Sequence, residues 1–342
     1  MIELNYDYSS LYENIDEIEK YLLENENDLT VLNFYKYFVD FFPVRKNLKF
    51  YFSNTDSLHN LVENGLNDIY SKRNIYKNTV DLFYPEIKRK LKLTIDNLNY
   101  ISISIPSKEQ QEILHSFFAT AGVKLEKLFL KYEMENKIFH QPYSIGLDQT
   151  YGTVFYNPFS EEPVLFLDEA DDSILEMSVI VHEFGHVLDY VTYNETHSNK
   201  ETDIYGMLSP YAEVNSIYQE FKFYEYLLKN NIYKTSVKNN ICEGMYEGYL
   251  EDLYNLSSPN KNIGNSVNKK FAFKNSVLYG YGLMIALSIL DDSDTYDKFQ
   301  EIRDPYFNEN DLEKIGFTSD RISKVMIKKI NEYFGGSNDK TK

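Results

Sequence analysis

Residues 171–188 of this 342-residue chain have the sequence DDSILEMSVIVHEFGHVL, which predicts the helix around which we expect the chain to fold. Acidic residues and a serine come first, and a long apolar stretch follows, as at the start of a buried helix. Asp171, Asp172 or Ser173 could cap this helix, and Glu176 lies three residues after Ser173, as in a capping box. Apolar side chains cover much of the surface of the predicted helix, which indicates that it is buried.

Two histidines of this helix, His182 and His186, are one helical turn apart, so their imidazoles lie on the same face. Such a pair can bind a single zinc ion, with Zn–N distances of about 2.0–2.1 Å. Glu183 lies beside the first histidine and can take a proton from a water on the metal without being a ligand. The pattern His-Glu-x-x-His is that of zinc proteases, and the alternative is a pair of ordinary histidines without metal.

A catalytic zinc site needs a third protein ligand and keeps one position open for water. One class of zinc proteases has Gly and His three and six residues beyond the second histidine, but Asp189 and Thr192 occupy those positions here. A glutamate on a following helix is the other option, and residues 209–221 predict such a helix. Glu213 lies in this segment, 27 residues (213 − 186) after the second histidine. Three other carboxylates compete with it for the role of ligand: Glu201, Asp203 and Glu220.

The pentapeptide at 182–186, taken together with Glu213-x-x-Ser216-x-x-x-Glu220, resembles the thimet oligopeptidase and oligoendopeptidase F family of zinc peptidases. The resemblance implies a mainly α fold: a large helical bundle with a small β-sheet before the zinc-binding helix and a deep substrate cleft. It implies one Zn²⁺ per chain and a peptide as substrate.

The resemblance also implies roles for individual residues. The zinc ligands would be His182, His186 and Glu213, and Glu183 would be the general base. Glu220 could accept a hydrogen bond from a ligand imidazole and so fix its tautomer. Asp189 is the alternative for that role, and it stands where the family often has a histidine.

Further stretches fit the resemblance. Residues 151–156 and 163–168 predict two short β-strands with a turn between them. In the family the edge strand of a small sheet pairs with the substrate backbone, and the strand at 163–168 is the candidate here. Residues 276–287 resemble the tyrosine-rich helix that faces the zinc. Tyr281 or Tyr279 could therefore donate a hydrogen bond to the oxyanion of the reaction, and the alternative is that both are core aromatics.

The chain also departs from the family. Members usually carry a histidine shortly before the catalytic tyrosine, whereas residues 269–277 contain none. The chain is also far shorter than typical members, and the missing part would belong to the N-terminal half. That half walls one side of the substrate channel in the family, so we expect a more open cleft.

Composition limits the class of protein further. The hydrophobic content of 43% fits a globular protein, and the net charge of −18 argues against a nucleic-acid partner. The single cysteine, Cys242, rules out an intramolecular disulfide and is typical of a protein in a reducing compartment. We expect no signal peptide in the first ten residues, which lack an apolar core, and we expect no membrane span because no apolar run is long enough. We therefore expect a cytoplasmic protein with no membrane partner.

The sequence predicts two regions: an N-terminal helical region, 1–137, and a catalytic metallopeptidase region with the zinc site, 138–342. An extended link at 101–105 is expected in the first region, between helices predicted at 10–23, 29–42, 56–72, 79–98 and 107–137.

The function expected from these observations is a zinc-dependent metallopeptidase that hydrolyses internal bonds of extended peptides. Two alternatives remain open. One is a toxin-like, host-directed zinc protease, and the other is a non-catalytic, peptide-binding relative with a vestigial metal site.

Overall fold

The computed structural model of the chain describes residues 2–7, 10, 55–95, 102–140, 151–157, 162–168, 170, 172–196, 211–258, 267–302 and 313–334. Helices account for 76% of these residues, and three short strands form one sheet. The predicted mainly α fold with a small sheet before the histidine-bearing helix is therefore confirmed. The large bundle and the deep cleft stay expectations. The helices predicted at 10–23 and 29–42 fall, apart from residue 10, outside the described residues.

The described elements are numbered here in chain order. The strands are β1 (Ile138–His140), β2 (Gly152–Asn157) and β3 (Glu162–Leu167). The helices before and between them are α1 (Thr55–Ser71), α2 (Arg73–Asp81), α3 (Tyr84–Ile95), α4 (Ser107–Ala121), α5 (Val123–Met134) and α6 (Ser173–Thr196). The later helices are α7 (Val214–Lys229), α8 (Lys234–Glu243), a π-helical segment (Gly244–Leu250), α9 (Glu251–Leu256), α10 (Val267–Ile289), α11 (Ser293–Ile302) and α12 (Ser319–Phe334).

These elements belong to two compact units, each made of two stretches of sequence. The first unit comprises 1–62 and 103–207, and the second comprises 63–102 and 208–342. Residues 103–207 run across the predicted boundary between 137 and 138. The assignment of a catalytic region to 138–342 stays a prediction.

The sheet of the first unit has the strand order β1-β3-β2. The central strand β3 is parallel to β1, with Ile138 opposite Leu165, and antiparallel to β2, with Val154 opposite Leu165. The strands predicted at 151–156 and 163–168 are thus confirmed to within one residue. However, the expectation that 163–168 offers an edge to a substrate is wrong, because β3 already pairs on both sides. Strand β2 is an edge of the sheet in the part of the chain that the structure describes.

The start of α6 is fixed by the side chain of Asp172. Its Oδ1 accepts hydrogen bonds from the backbone amides of Ile174 (2.9 Å) and Leu175 (3.0 Å), and its Oδ2 accepts one from the amide of Ile103 (2.9 Å). Of the three candidate caps, Asp172 is therefore the one used, and Leu175 rather than Glu176 takes the third helical position. Ser173 instead accepts a hydrogen bond from the amide of Ile105. The non-helical link at 102–106 is tied down by these bonds.

The middle of α6 is buried, as the apolar pattern predicts. Phe184 is fully buried, and its ring lies edge-on to those of Phe118 (5.4 Å between centroids), Phe129 (5.4 Å) and Tyr132 (5.6 Å). Tyr132 also donates a hydrogen bond from its hydroxyl to the backbone carbonyl of Pro163 (2.6 Å). Helices α4 and α5 and strand β3 thereby hold α6 in a fixed position.

Two predicted helices are each interrupted. The helix predicted at 107–137 is broken at Gly122, so α4 and α5 are separate helices. Gly122 has a φ of +128°, a backbone conformation that glycine adopts readily and residues with a Cβ atom rarely adopt. The helix predicted at 79–98 is broken before Tyr84. Pro85 has no amide proton and would clash inside a continuous helix, but it is tolerated in the first turn of α3.

The second unit is built around α10, a helix of 23 residues. Its apolar residues between Leu283 and Ile289 are at most 1% exposed, and the one polar residue among them, Ser288, is also buried. Helix α10 packs against α7, the π-helical segment, α9 and α12. Helix α7 presents the buried side chains of Val214, Ile217 and Phe221 on one face.

Candidate metal centre

His182 and His186 occupy successive turns of α6 in the arrangement that their spacing predicts. Their ring centroids are 5.2 Å apart, with the ring planes at 75°. Both side chains are half-buried, whereas Phe184 between them points into the core. The two imidazoles are therefore held on one side of a helix whose opposite side is anchored by packing.

Glu183 is buried against the first residue of β2. A Cβ atom at position 152 would lie 2.6 Å from Cγ of Glu183 and 2.9 Å from its Oε1, closer than real side chains approach. Only glycine at position 152 leaves room for the Glu183 side chain in this position. The carboxylate proposed as a general base thus lies at one end of the edge strand.

Glu213 stands immediately before α7, in the position that caps the helix. The sequence predicts it inside a helix that begins near residue 209. Residues 209 and 210 lie outside the described part of the chain, residues 211–213 form a turn, and α7 begins at Val214. The hydroxyl of Ser216, which is fully buried, lies 2.9 Å from the backbone carbonyl oxygen of Glu213 and 3.0 Å from its Oε2, so these two acceptors share its one proton. The contact with Oε2 restricts the direction in which the carboxylate points.

Helix α10 approaches the backbone of Glu213. A Cβ atom at Gly282 would lie 3.4 Å from the Cβ of Glu213 and 3.4 Å from Cδ1 of Ile217, an ordinary packing distance. Glu213 is thus positioned from two directions, by a serine of its own helix and by α10.

His182, His186 and Glu213 form a group that could hold a metal ion. Each offers one ligand atom, and these three atoms all lie within 4.8 Å of one another. Two imidazole nitrogens and one carboxylate oxygen form a donor set that zinc accepts at catalytic sites. Among the described residues, no other group of three or more histidine, cysteine, aspartate or glutamate side chains has ligand atoms placed closely enough to hold a metal ion. The competing carboxylates Glu201 and Asp203 lie outside the described residues.

Glu220 lies about two helical turns after Glu213, on α7, and is buried among tyrosines. Its Oε1 accepts a hydrogen bond from the Tyr224 hydroxyl, and its Oε2 accepts one from the Tyr249 hydroxyl, both at 3.1 Å. Burial, together with the adjacent Glu220 carboxylate, raises the pKa of Tyr249 well above its usual value. The roles of Glu220 and of the buried Asp189 beside a ligand imidazole stay predictions.

The two candidate oxyanion donors have different surroundings within α10. Tyr281 is almost fully buried, and its ring lies 5.0 Å from that of Tyr76 and 6.2 Å from that of Tyr211. Tyr279 is half-buried and stacks on Tyr249, with ring centroids 5.6 Å apart and planes at 6°. Both make core-type aromatic contacts, and the oxyanion role of either stays a prediction.

Lys274 is a residue near Glu213 to which the sequence prediction gives no role. It lies on α10 and is only 8% exposed. Burial lowers the pKa of Lys274 to about 8, and the negative charge of Glu213 acts in the opposite direction. The signal in the sequence is a lysine seven residues before Tyr281 in an apolar helix, which places both residues on one face. Gly152 was likewise missed as a supporting residue, because its contact with Glu183 is created only by the fold. Ser216 belongs to the quoted motif, but no role beside Glu213 was predicted for it.

Comparison of the chain with protein-family models, with curated proteins and with solved structures finds no match. The family resemblance therefore stays a prediction that rests on residues 182–186, 213–220 and 276–287. Among the described residues, the structure contains no helix with the length and apolar character needed to cross a membrane. The cytoplasmic location stays a prediction.

Proposed function

We propose that this protein is a zinc-dependent metallopeptidase that hydrolyses internal bonds of extended peptides. The observation that carries the proposal is the group of three ligand atoms on His182, His186 and Glu213, which lie within 4.8 Å of one another. Glu183, the residue that follows the first of these histidines, is buried. Three protein ligands leave a fourth position for water or substrate, as catalytic zinc sites require. A structural zinc site would instead use four protein ligands.

The roles of the chain's own residues follow from this arrangement. A bound zinc ion would supply a Lewis acid that polarises the scissile carbonyl and activates a water. Glu183 takes a proton from the attacking water and later delivers it to the leaving amine. Tyr281 or Tyr279 donates a hydrogen bond to the oxyanion as it forms. The aromatic contacts of these tyrosines keep their rings in place before substrate binds.

The substrate backbone would add to the sheet along β2. This strand has β3 on one side, and no strand of the described residues pairs with its other side. Glu183 lies against Gly152, the first residue of β2, so a peptide along this edge would pass close to the general base. Pairing through main-chain groups binds a peptide with little regard to its side chains. This supports an extended peptide as the substrate class.

The direct test compares zinc-loaded wild-type protein with Glu183→Gln on a mixed peptide library, with products identified by mass spectrometry. We expect Glu183→Gln to keep its zinc and to lose about 10²–10⁴-fold in rate, because general acid–base catalysis contributes that much. Glu176→Gln is the matched control, since Glu176 is a buried glutamate on the same helix. We expect it to retain activity.

Two results would reject the proposal. One is purified protein that binds no stoichiometric zinc. The other is peptide cleavage that persists after a chelator has removed the metal. If zinc-loaded protein binds peptides without cleaving any, the non-catalytic, peptide-binding alternative is correct.

A further inference from the structure

The two candidate oxyanion donors of α10 differ in whether a substrate could reach them. Tyr281 is only 4% exposed, and its ring is packed against the rings of two other tyrosines. Tyr279 is half-buried, so part of its side chain is open to solvent. It precedes Gly282 by three residues, about one helical turn, and Gly282 is where α10 packs against Glu213. Tyr279 is therefore the tyrosine that is both accessible and close to the third candidate ligand.

The ring of Tyr279 is held by a second tyrosine, Tyr249. The two rings are nearly parallel, with their planes at 6° and their centroids 5.6 Å apart, as in an offset stack. The backbones also approach closely beside this pair, because a Cβ atom at Gly280 would lie 2.5 Å from the carbonyl oxygen of Tyr249. Only glycine at position 280 permits this approach, so contacts of both the ring and the backbone fix Tyr249 against α10.

Tyr249 is in turn anchored on the helix that follows Glu213. Its hydroxyl donates a hydrogen bond to Oε2 of Glu220 at 3.1 Å, and Oε1 of the same carboxylate accepts one from Tyr224 at 3.1 Å. A hydrogen bond to a charged acceptor is stronger than one between neutral groups. Glu220 lies seven residues after Glu213, about two helical turns, so both lie along one face. The same helix thus adjoins the third candidate ligand and carries the anchor of the tyrosine stack.

Tyr249 belongs to an unusual element, the π-helical segment Gly244–Leu250. In a π-helix each amide bonds to the carbonyl five residues before it, so a turn accommodates one residue more than an α-helical turn. The extra residue changes the direction of the side chains that follow it, and here it directs Tyr249 between Glu220 and Tyr279. Such segments are rare and occur frequently at functional sites.

We propose that Tyr249 is a positioning residue that holds the ring of Tyr279 ready to donate a hydrogen bond to the oxyanion, which rests on the function proposed above. Tyr279, and not Tyr281, is then the donor. A donor that is already oriented stabilises the developing charge without reorganisation during the reaction. Tyr249 itself does not touch the substrate and acts only through the stacked ring.

Steady-state kinetics of the zinc-loaded protein on a cleaved library peptide tests the assignment. Tyr279→Phe should lower kcat about 100–1,000-fold with little change in KM, because a donor to the oxyanion acts only in the transition state. Tyr249→Leu, which removes the stacked ring, should lower kcat about 100-fold, the cost of a misplacement of about 1 Å. A larger loss of kcat in Tyr281→Phe than in Tyr279→Phe would overturn the proposal.

Combined variants separate positioning from a purely structural role. In Tyr279→Phe protein, Tyr249→Leu should cause no further loss of kcat, because the hydroxyl that Tyr249 positions is already absent. The same loss with and without the Tyr279 hydroxyl would overturn the proposal. If Tyr249→Leu does not fold, Tyr249→Phe, which removes only the hydrogen bond to Glu220, is compared in the same two backgrounds. Tyr333→Leu is the matched control and should keep kcat, since the Tyr333 hydroxyl donates to a different glutamate of α7, Glu225, at 2.9 Å.

A measurement that needs no peptide cleavage follows the ring of Tyr279 directly. With 3-fluorotyrosine at position 279, fluorine NMR reports the exchange between the two orientations of the ring. This exchange should be about threefold or more faster in the Tyr249 variant than in the wild-type protein, because the stacking partner or its anchor is lost. Peptide cleavage by the wild-type protein together with equal exchange in both forms contradicts the role of Tyr249 alone. A wild-type protein that cleaves nothing rejects the function proposed above, and the catalytic role of Tyr279 with it.

Discussion

The two parts of the candidate metal centre are built in different ways. His182 and His186 come from a single helix, and the cap at Asp172 and the burial of Phe184 that fix this helix are both visible in the sequence. Glu213 stands in a turn before α7, and its direction depends on Ser216 and on packing against Gly282, which is 69 residues (282 − 213) away in the sequence. The comparison shows that local spacing defines a pair of ligands, whereas the position of the third ligand also depends on packing against a residue that is distant in the sequence.

Removal of a ligand from either part should have the largest effect. We expect His186→Ala and Glu213→Ala each to weaken zinc affinity by more than about 100-fold. Loss of a residue that only hydrogen-bonds to a metal ligand already weakens metal affinity by about 10–100-fold. Competition with a chromophoric chelator measures the affinity, and His115→Ala, a histidine paired with Glu133 elsewhere, is the control. Unchanged affinity of Glu213→Ala would remove Glu213 from the site and leave only the local pair.

A methyl group at position 152 should have the next largest effect, on rate rather than on metal binding. In Gly152→Ala the new Cβ would displace the Glu183 side chain, and a misplacement of about 1 Å can cost about 100-fold in rate. Zinc affinity should be unchanged, because the three atoms nearest to the new Cβ all belong to Glu183 and none belongs to a histidine.

Gly248→Ala is the matched control for that variant, since a Cβ atom there would have no neighbour within 4 Å. Steady-state kinetics on a cleaved library peptide measures the effect. Full activity of Gly152→Ala would show that the position of Glu183 against β2 is unimportant for the reaction.

Loss of the helix cap should have the smallest effect. Asp172→Ala removes acceptors for the amides of Ile174 and Leu175, so the free energy of unfolding should fall by about 0.5–2 kcal/mol. Asp172→Asn should recover most of this stability because the amide oxygen can still accept. Urea denaturation measures the difference. No loss in Asp172→Ala would mean that packing around Phe184 alone fixes the start of α6.

The elements predicted correctly are those with complete local signals. Short runs of β-branched, apolar and aromatic residues with a turn between them indicate β2 and β3, and the acidic start and apolar run indicate α6. The prediction of one helix at 107–137 was wrong because the periodicity of apolar residues does not indicate that Gly122 adopts a positive φ, which ends the helix there. Strand β1 was missed because its three residues form a strand only beside β3.

The candidate site was predictable to a similar degree. His182, Glu183 and His186 follow from one motif, and Glu213 was selected from several carboxylates through a family resemblance. The edge strand was misassigned because strand order depends on β1, which the sequence does not indicate. Lys274 was overlooked because its burial and its position relative to Glu213 are consequences of how α10 packs in the second unit.

The most direct measurement is a crystal structure of the zinc-loaded protein with anomalous diffraction data at the zinc absorption edge. The expected result is one zinc peak per chain, bound by nitrogens of His182 and His186 and an oxygen of Glu213 at about 2.0–2.2 Å, with a fourth position not occupied by protein. A peak with four protein ligands would make the site structural. The absence of a peak at these three residues would contradict the proposed metallopeptidase.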